Sequence, residues 1–144
     1  MPDIAPIRQL AIAYPFVSVL LFVCLMPASA GYEFLGAIIL LLFGPIFVMG
    51  AGIALGLPLR LNRRLSSWWL GNWGLYVLIA AAGAGLLLAG FNISARQVGE
   101  VDGIPFDVTT PHPGLLTAGC FALTFLAVNA SFRLGGRSGP GRVA

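Results

Sequence analysis

Four long apolar stretches without an ionisable residue are the feature that most limits how this chain can fold. They cover residues 10–26, 34–55, 75–91 and 115–132, and none contains Asp, Glu, Lys, Arg or His. A helix that crosses the hydrocarbon core of a bilayer needs about 20 predominantly apolar residues. Charged residues make up only 9% of the 144 residues, whereas soluble domains carry about 25%. The sequence therefore predicts an all-α membrane protein, folded as one bundle of four transmembrane helices.

The expected spans cover about residues 10–26, 34–55, 68–91 and 115–132, and they leave residues 133–144 as a disordered basic tail. Ser66 or Ser67 is the expected N-cap of the third span. The first span has an alternative interpretation as a cleaved secretory signal, in which Ala28-Ser29-Ala30 is the cleavage site. Its apolar run is longer than the usual signal core of about 7–15 residues, which favours a retained span.

Residues 92–114 form the one sizeable polar loop between the expected spans. Asp102-Gly103 lies at its centre, between two short segments, and this dipeptide favours a tight two-residue hairpin turn. Pro105 restricts the second segment to an edge strand or an irregular piece, and Pro113 suits the first turn of the next helix. The sequence therefore predicts a short hairpin-like loop on the outer side of the membrane.

Arginine placement predicts the orientation. Eight arginines supply all the basic residues apart from His112. Four spans place seven of them on one side, with Arg96 alone on the other; the seven are Arg8, Arg60, Arg63, Arg64, Arg133, Arg137 and Arg142. Cytoplasmic loops carry such an excess, so both termini are expected in the cytoplasm. Abundant Ala, Gly and Arg are typical of a high-GC bacterial genome, which indicates a bacterial cytoplasmic membrane. No basic stripe interleaved with stacking aromatics indicates nucleic acid as a partner.

The segment from Leu57 to Trp73 joins the second and third spans and carries the candidate interface residues, namely Arg60, Arg63, Arg64, Trp68, Trp69 and Trp73. Trp69, Trp73 and Tyr76 are spaced by four and three residues, so a continuous helix places them on one face at the membrane boundary. The pattern is typical of an interfacial aromatic belt. As an alternative, the three arginines hold an anionic lipid headgroup, since basic residues near a negative leaflet attract it.

Small residues at a spacing of four predict where helices pack. Gly52 and Gly56 lie toward the end of the second span, and Ala81 and Gly85 lie in the third, so these two spans are expected to pair through close backbone approach. Two further residues, Pro45 and Asn129, are candidate packing positions within the second and fourth spans. Pro45 is expected to kink its helix and face other helices, although spans also tolerate proline without a role. Asn129 is expected to hydrogen-bond a neighbouring helix.

Candidates for chemistry are few. A lone His112 excludes a His-based metal site or a catalytic triad within one chain, and an oxygen-rich site with Glu100, Asp102 and Asp107 has no supporting ligand spacing. Cys24 and Cys120 lie at similar expected depths, but equal depth does not make them neighbours, and both are expected to be free thiols.

The absence of ionisable residues from the apolar stretches counts against a pump, a proton-coupled carrier or an intramembrane protease. The sequence therefore predicts a non-catalytic accessory, assembly or scaffold subunit of a larger bacterial membrane complex, with respiratory complexes as one candidate and no cofactor. Its expected partners are membrane lipids, including anionic ones, and other membrane subunits or further copies of the chain. The alternative is a small homo-oligomeric carrier or channel, lined by Asn129, Tyr14 and the backbone at Gly44-Pro45.

Overall fold

The computed structural model describes residues 7–27, 34–101 and 103–130, and most of these residues are helical. In chain order the elements are α1 (Ile7–Leu25), α2 (Phe34–Leu55), α3 (Leu57–Leu61), α4 (Arg63–Gly71), α5 (Trp73–Asn92), β1 (Ser94–Val101), β2 (Ile104–Pro111) and α6 (Pro113–Asn129). The candidate cleavage motif at residues 28–30 and the expected tail at residues 133–144 lie outside the described residues.

The chain is mostly α-helical but not all-α, because the polar loop forms a regular antiparallel hairpin of β1 and β2. Val101 pairs with Ile104, so the turn has the two residues expected from the sequence. Gly103 has a φ of 81°, a left-handed conformation that glycine adopts without steric cost. Pro105 lies opposite Glu100 within β2, as a strand with a free edge permits.

The prediction of one helix over residues 68–91 is wrong, because α4 ends at Gly71 and α5 begins at Trp73. Asn72 separates them with a non-helical φ of −100° and ψ of 70°. The predicted N-cap is also wrong: the side chain of Asn62 accepts a hydrogen bond from the Arg64 amide at 3.0 Å, and Ser66 lies inside α4. Asparagine is among the best N-caps because its short side chain reaches the unpaired amides of the first turn.

Helix α6 lies at the centre of the packing and contacts α1, α2 and α5, while α1 also packs against α2. The core between these helices consists mainly of Val17, Leu21 and Cys24 from α1 and of Leu116, Cys120 and Val128 from α6. Within the described part of the chain, α2 and α5 do not form a packed pair. The expected contact between the two small-residue faces is therefore not present.

Two helices are long and apolar enough to cross a membrane by length and composition. They are α2, over Ile38–Leu55, and α5, over Trp73–Asn92; α1 and α6 are apolar but shorter. These two helices indicate association with a membrane.

The base of the hairpin is tied to the helices at His112. Its backbone amide donates to the carbonyl oxygens of Gly90 and Ile93 at 2.8 and 3.0 Å. Its Nδ1 accepts from the Leu115 amide at 3.4 Å, which caps α6, and Pro113 occupies the first turn as expected. These bonds fix where α6 begins relative to the end of α5, and thereby where the carboxyl end of α6 lies.

Candidate functional site

The carboxyl end of α6 carries a polar junction that joins three parts of the chain. We call this the α6 junction and define it as Asn129, Arg60, Trp69, Gly52 and Gly56. The side chain of Asn129 is only 6% exposed, and its Nδ2 donates to the carbonyl oxygen of Gly52 at 2.9 Å and to that of Phe125 at 3.1 Å. An amide buried in this way must find partners, since an unpaired polar group there costs free energy. Asn129 therefore binds α6 to α2, in agreement with its expected role.

Arg60 brings a positive charge to the same end of α6. Its Nη2 donates to the carbonyl oxygen of Val128 at 3.0 Å, and its Nε donates to Oδ1 of Asn129 at 3.4 Å. The last carbonyls of a helix lack intrahelical donors and carry the negative end of the helix dipole, so a cation stabilises them. Partial burial lowers the pKa of Arg60 from its usual value, but an arginine remains charged in proteins. Arg60 acts as a cap for α6.

Trp69 completes the junction from α4. Its side chain is 5% exposed, and its indole Nε1 donates to the backbone carbonyl of Asn129 at 2.9 Å. Its ring makes edge contacts with Tyr76 and Phe125, with centroids 5.0 and 6.0 Å apart. Such edge-to-face pairs contribute about 0.5–1.5 kcal/mol beyond area burial. Trp69 is therefore a packed anchor between helices within this chain.

Two glycines make room for the junction, Gly52 within α2 and Gly56 directly after its end. A Cβ on Gly56 would lie 2.0 Å from Oδ1 of Asn129, and one on Gly52 would lie 3.2 Å from the Val128 side chain. These glycines therefore serve close helix approach, as the sequence predicts, but the partner helix is α6. Their spacing alone does not distinguish α5 from α6 as the partner.

The other predicted interface and packing residues lie away from the junction. Arg63, Arg64, Trp68 and Trp73 are exposed. Ala81 is exposed too, and a Cβ on Gly85 would have nothing within 4 Å of it. The structure thus divides the candidate residues into a buried or partly buried group and an exposed group.

The close contact of α5 is with α6, through glycines that no sequence pattern singles out. A Cβ on Gly83 would lie 3.0 Å from Leu123, one on Gly90 would lie 2.7 Å from Leu116, and one on Gly119 would lie 2.9 Å from the carbonyl oxygen of Gly83. Chance spacings are frequent in a chain with 19 glycines, so periodicity could not separate these positions from Gly85.

The α1–α2 contact uses two further candidates from the sequence, Tyr14 and Pro45. Pro45 is among the fully buried residues, consistent with a proline that faces other helices. Three residues before it, the carbonyl oxygen of Leu42 accepts a hydrogen bond from the Tyr14 hydroxyl at 3.0 Å. Donors from neighbouring helices commonly satisfy backbone carbonyls near a proline within the membrane. Tyr14 and Pro45 thus take part in packing between α1 and α2.

Cys24 and Cys120 are neighbours, although the sequence offered only their similar depth. Both are free and buried, at 3% and 1% exposure, and both belong to the core cluster between α1 and α6. No sequence signal places α1 beside α6, so this adjacency could not be inferred from spacing.

The arrangement offers polar contacts between helices. Within residues 7–27, 34–101 and 103–130, no three His, Cys, Asp or Glu side chains are grouped as metal ligands. No protein-family model, curated protein or solved structure matches the chain.

Proposed function

We propose that this chain is a four-span protein of the bacterial cytoplasmic membrane, with both termini in the cytoplasm, and that it serves as a non-catalytic accessory, assembly or scaffold subunit of a larger complex. The observation that carries the proposal is the uncovered apolar surface of α2 and α5. The rest of the chain buries only 17% of the spanning window of α2 and 11% of that of α5. Large apolar side chains such as Phe47, Leu78 and Leu88 are 78%, 64% and 65% exposed. Surfaces of this kind need lipid or protein to cover them.

The lengths of α1 and α6 support four spans. They have 19 and 17 residues, which at about 1.5 Å per residue gives lengths of roughly 25–29 Å. The hydrocarbon core is about 30 Å thick, and a small mismatch costs only fractions of a kcal/mol per Å. Because α6 packs along α5, α1 and α2, a bundle in which α2 and α5 cross the membrane can hold α1 and α6 across it as well.

The use of polar groups supports a structural role. Asn129 and Tyr14, which the carrier alternative assigns to a pore lining, donate their hydrogen bonds to carbonyls of neighbouring helices. Pro45 is buried in the same bundle. Hydrogen bonds and close glycine contacts are what hold helices together in lipid, where the hydrophobic effect supplies no driving force. These residues therefore serve the fold of the subunit.

A topology experiment tests the first half of the proposal. Alkaline phosphatase, which is active only outside the cytoplasm, is inserted after Gly103 in one fusion and after Ala144 in another. We expect activity from the hairpin fusion and none from the C-terminal fusion. Equal activity from the two fusions, or the reverse pattern, would refute the four-span arrangement.

Purification tests the second half. The tagged chain is extracted from its native membrane in a mild detergent, and the mass and composition of the complex are measured. We expect a large complex that contains other membrane subunits in fixed ratio. A closed homo-oligomer that supports solute flux in liposomes would favour the carrier and would overturn the accessory role.

A further inference from the structure

We propose that Arg63 and Arg64, together with the exposed Trp68, form a binding site for the phosphate of an anionic phospholipid in the cytoplasmic leaflet, and that Arg60 takes no part in it. The inference rests on the proposed topology, which places α4 on the cytoplasmic side. It goes beyond that topology by assigning a ligand class and by dividing three arginines that the sequence presents as one cluster.

The division follows from the hydrogen bonds. The Arg60 guanidinium is partly buried and is held by the Val128 carbonyl and the Asn129 side chain. The Arg63 and Arg64 side chains are exposed, and in the described part of the chain neither guanidinium has a hydrogen-bond or ion-pair partner. Only the backbone of Arg64 is engaged, through the Asn62 cap and Ser67. Two adjacent guanidinium groups are therefore available to an external anion.

Helix α4 has an inner and an outer face. Ser66 and Trp69 face inward at 3% and 5% exposure. Leu65 and Trp68 face outward at 40% and 57% exposure, and Arg64 is four residues before Trp68, so these two share one side of the helix. An indole prefers the headgroup level of a bilayer, with its apolar body toward the acyl chains. The outer face thus combines an apolar edge for the lipid boundary with charges for its phosphate.

The charges are complementary to an anion. The described carboxylates whose side chains are placed, Glu100 and Asp107, both lie in the hairpin, at the opposite end of α5 and α6. Arg63 and Arg64 also occupy the first turn of α4, where the helix dipole disfavours cations. Helix stability therefore does not explain their position, whereas attraction to a negatively charged leaflet does. Guanidinium groups bind phosphate oxygens through paired hydrogen bonds, which suits them to this ligand.

Lipid retention by the full-length protein tests the site. Wild type and the R63A/R64A variant are purified in a neutral detergent and titrated with phosphatidylglycerol, and bound lipid is counted by native mass spectrometry. Since each basic residue near the leaflet contributes about 1 kcal/mol, we expect the double variant to bind about 30-fold more weakly. The R63K/R64K variant keeps the charge but not the paired guanidinium hydrogen bonds, so its affinity is expected to lie between those of wild type and R63A/R64A. Phosphatidylcholine should bind both proteins equally, and inorganic phosphate should not displace phosphatidylglycerol.

The matched control is R137A/R142A, which removes the same net charge from the same expected side of the membrane. If R63A/R64A binds phosphatidylglycerol as tightly as wild type, or if the control loses as much affinity, the proposed site is refuted. Displacement by inorganic phosphate would make the site one for a free anion and would likewise overturn the lipid assignment. The phosphatase fusions report separately on topology, so a failed lipid site with an intact topology is distinguishable from a failed proposed function.

Discussion

Replacing Gly56 by alanine is the sharpest test of the α6 junction. The new Cβ would lie 2.0 Å from Oδ1, 2.6 Å from Cγ and 2.9 Å from Nδ2 of Asn129, so the whole side-chain amide must move. That movement breaks the bond to the Gly52 carbonyl and the contact with Arg60. Overpacking costs about 1–3 kcal/mol, and an interhelical hydrogen bond in a membrane protein contributes about 0.6 kcal/mol on average. We expect Gly56→Ala to lower the free energy of unfolding by about 2–4 kcal/mol.

Gly50→Ala is the matched control, since nothing lies within 4 Å of its Cβ position and it lies in α2, the helix that ends just before Gly56. Alanine is favoured over glycine inside a helix by about 1 kcal/mol, so this variant should be as stable as wild type or slightly more stable. Unfolding of both variants in mixed micelles is followed by tryptophan fluorescence, because Trp69 lies in the junction. Equal stability of the two variants would refute the close contact between Gly56 and Asn129.

Two further predictions concern the hairpin and the cysteines. Arg96 donates from Nε to Asp107 at 2.8 Å and pairs with it through Nη2, which lowers the pKa of Asp107 below its usual value and raises that of Arg96. The stability that this pair contributes is therefore present above the unfolded pKa of Asp107, about 3.9, and is lost as the pH falls through its lower folded pKa. Hydrogen exchange of the hairpin amides should show this loss of protection at acid pH in wild type and not in Asp107→Asn. Mild oxidation with copper phenanthroline should link Cys24 to Cys120 by a disulfide. The link would protect both thiols from maleimide labelling after denaturation, and a reductant would restore the labelling. Labelling of both thiols after oxidation would contradict the α1–α6 packing.

Local signals in the sequence predict most of the secondary structure. Apolar length indicates α1, α2 and α6, and Asp102-Gly103 sets the hairpin turn at the observed position. The break at Asn72 is not predicted because the apolar and aromatic pattern continues across it. Asn62 is not predicted as a cap because Ser66 and Ser67 stand closer to the aromatic run. Both errors concern where a helix begins, and in each case an asparagine occupies the N-cap position that the sequence analysis missed.

The partners within the bundle could not be predicted in the same way. Arg60 and Trp69 are 69 and 60 residues from Asn129, and nothing in the sequence records contacts over such separations. Arg60 differs from Arg63 and Arg64 only because α3 directs it to the end of α6. The same reasoning applies to Gly83 and Gly85, of which only Gly83 meets a neighbouring helix. The tertiary arrangement, and not the residue type, decides which of these residues contact a neighbouring helix.

The position of α6 at the centre of the packing has a consequence for biosynthesis. A ribosome releases α6 after every other described helix, yet α1 and α2 both complete their contacts on it. Until it emerges, Gly52 lacks the Asn129 amide and Arg60 lacks the carbonyl that it caps. The earlier helices therefore remain incompletely packed until α6 has been made. Chains cut short before Asn129 should lack these contacts and be less stable than the full chain.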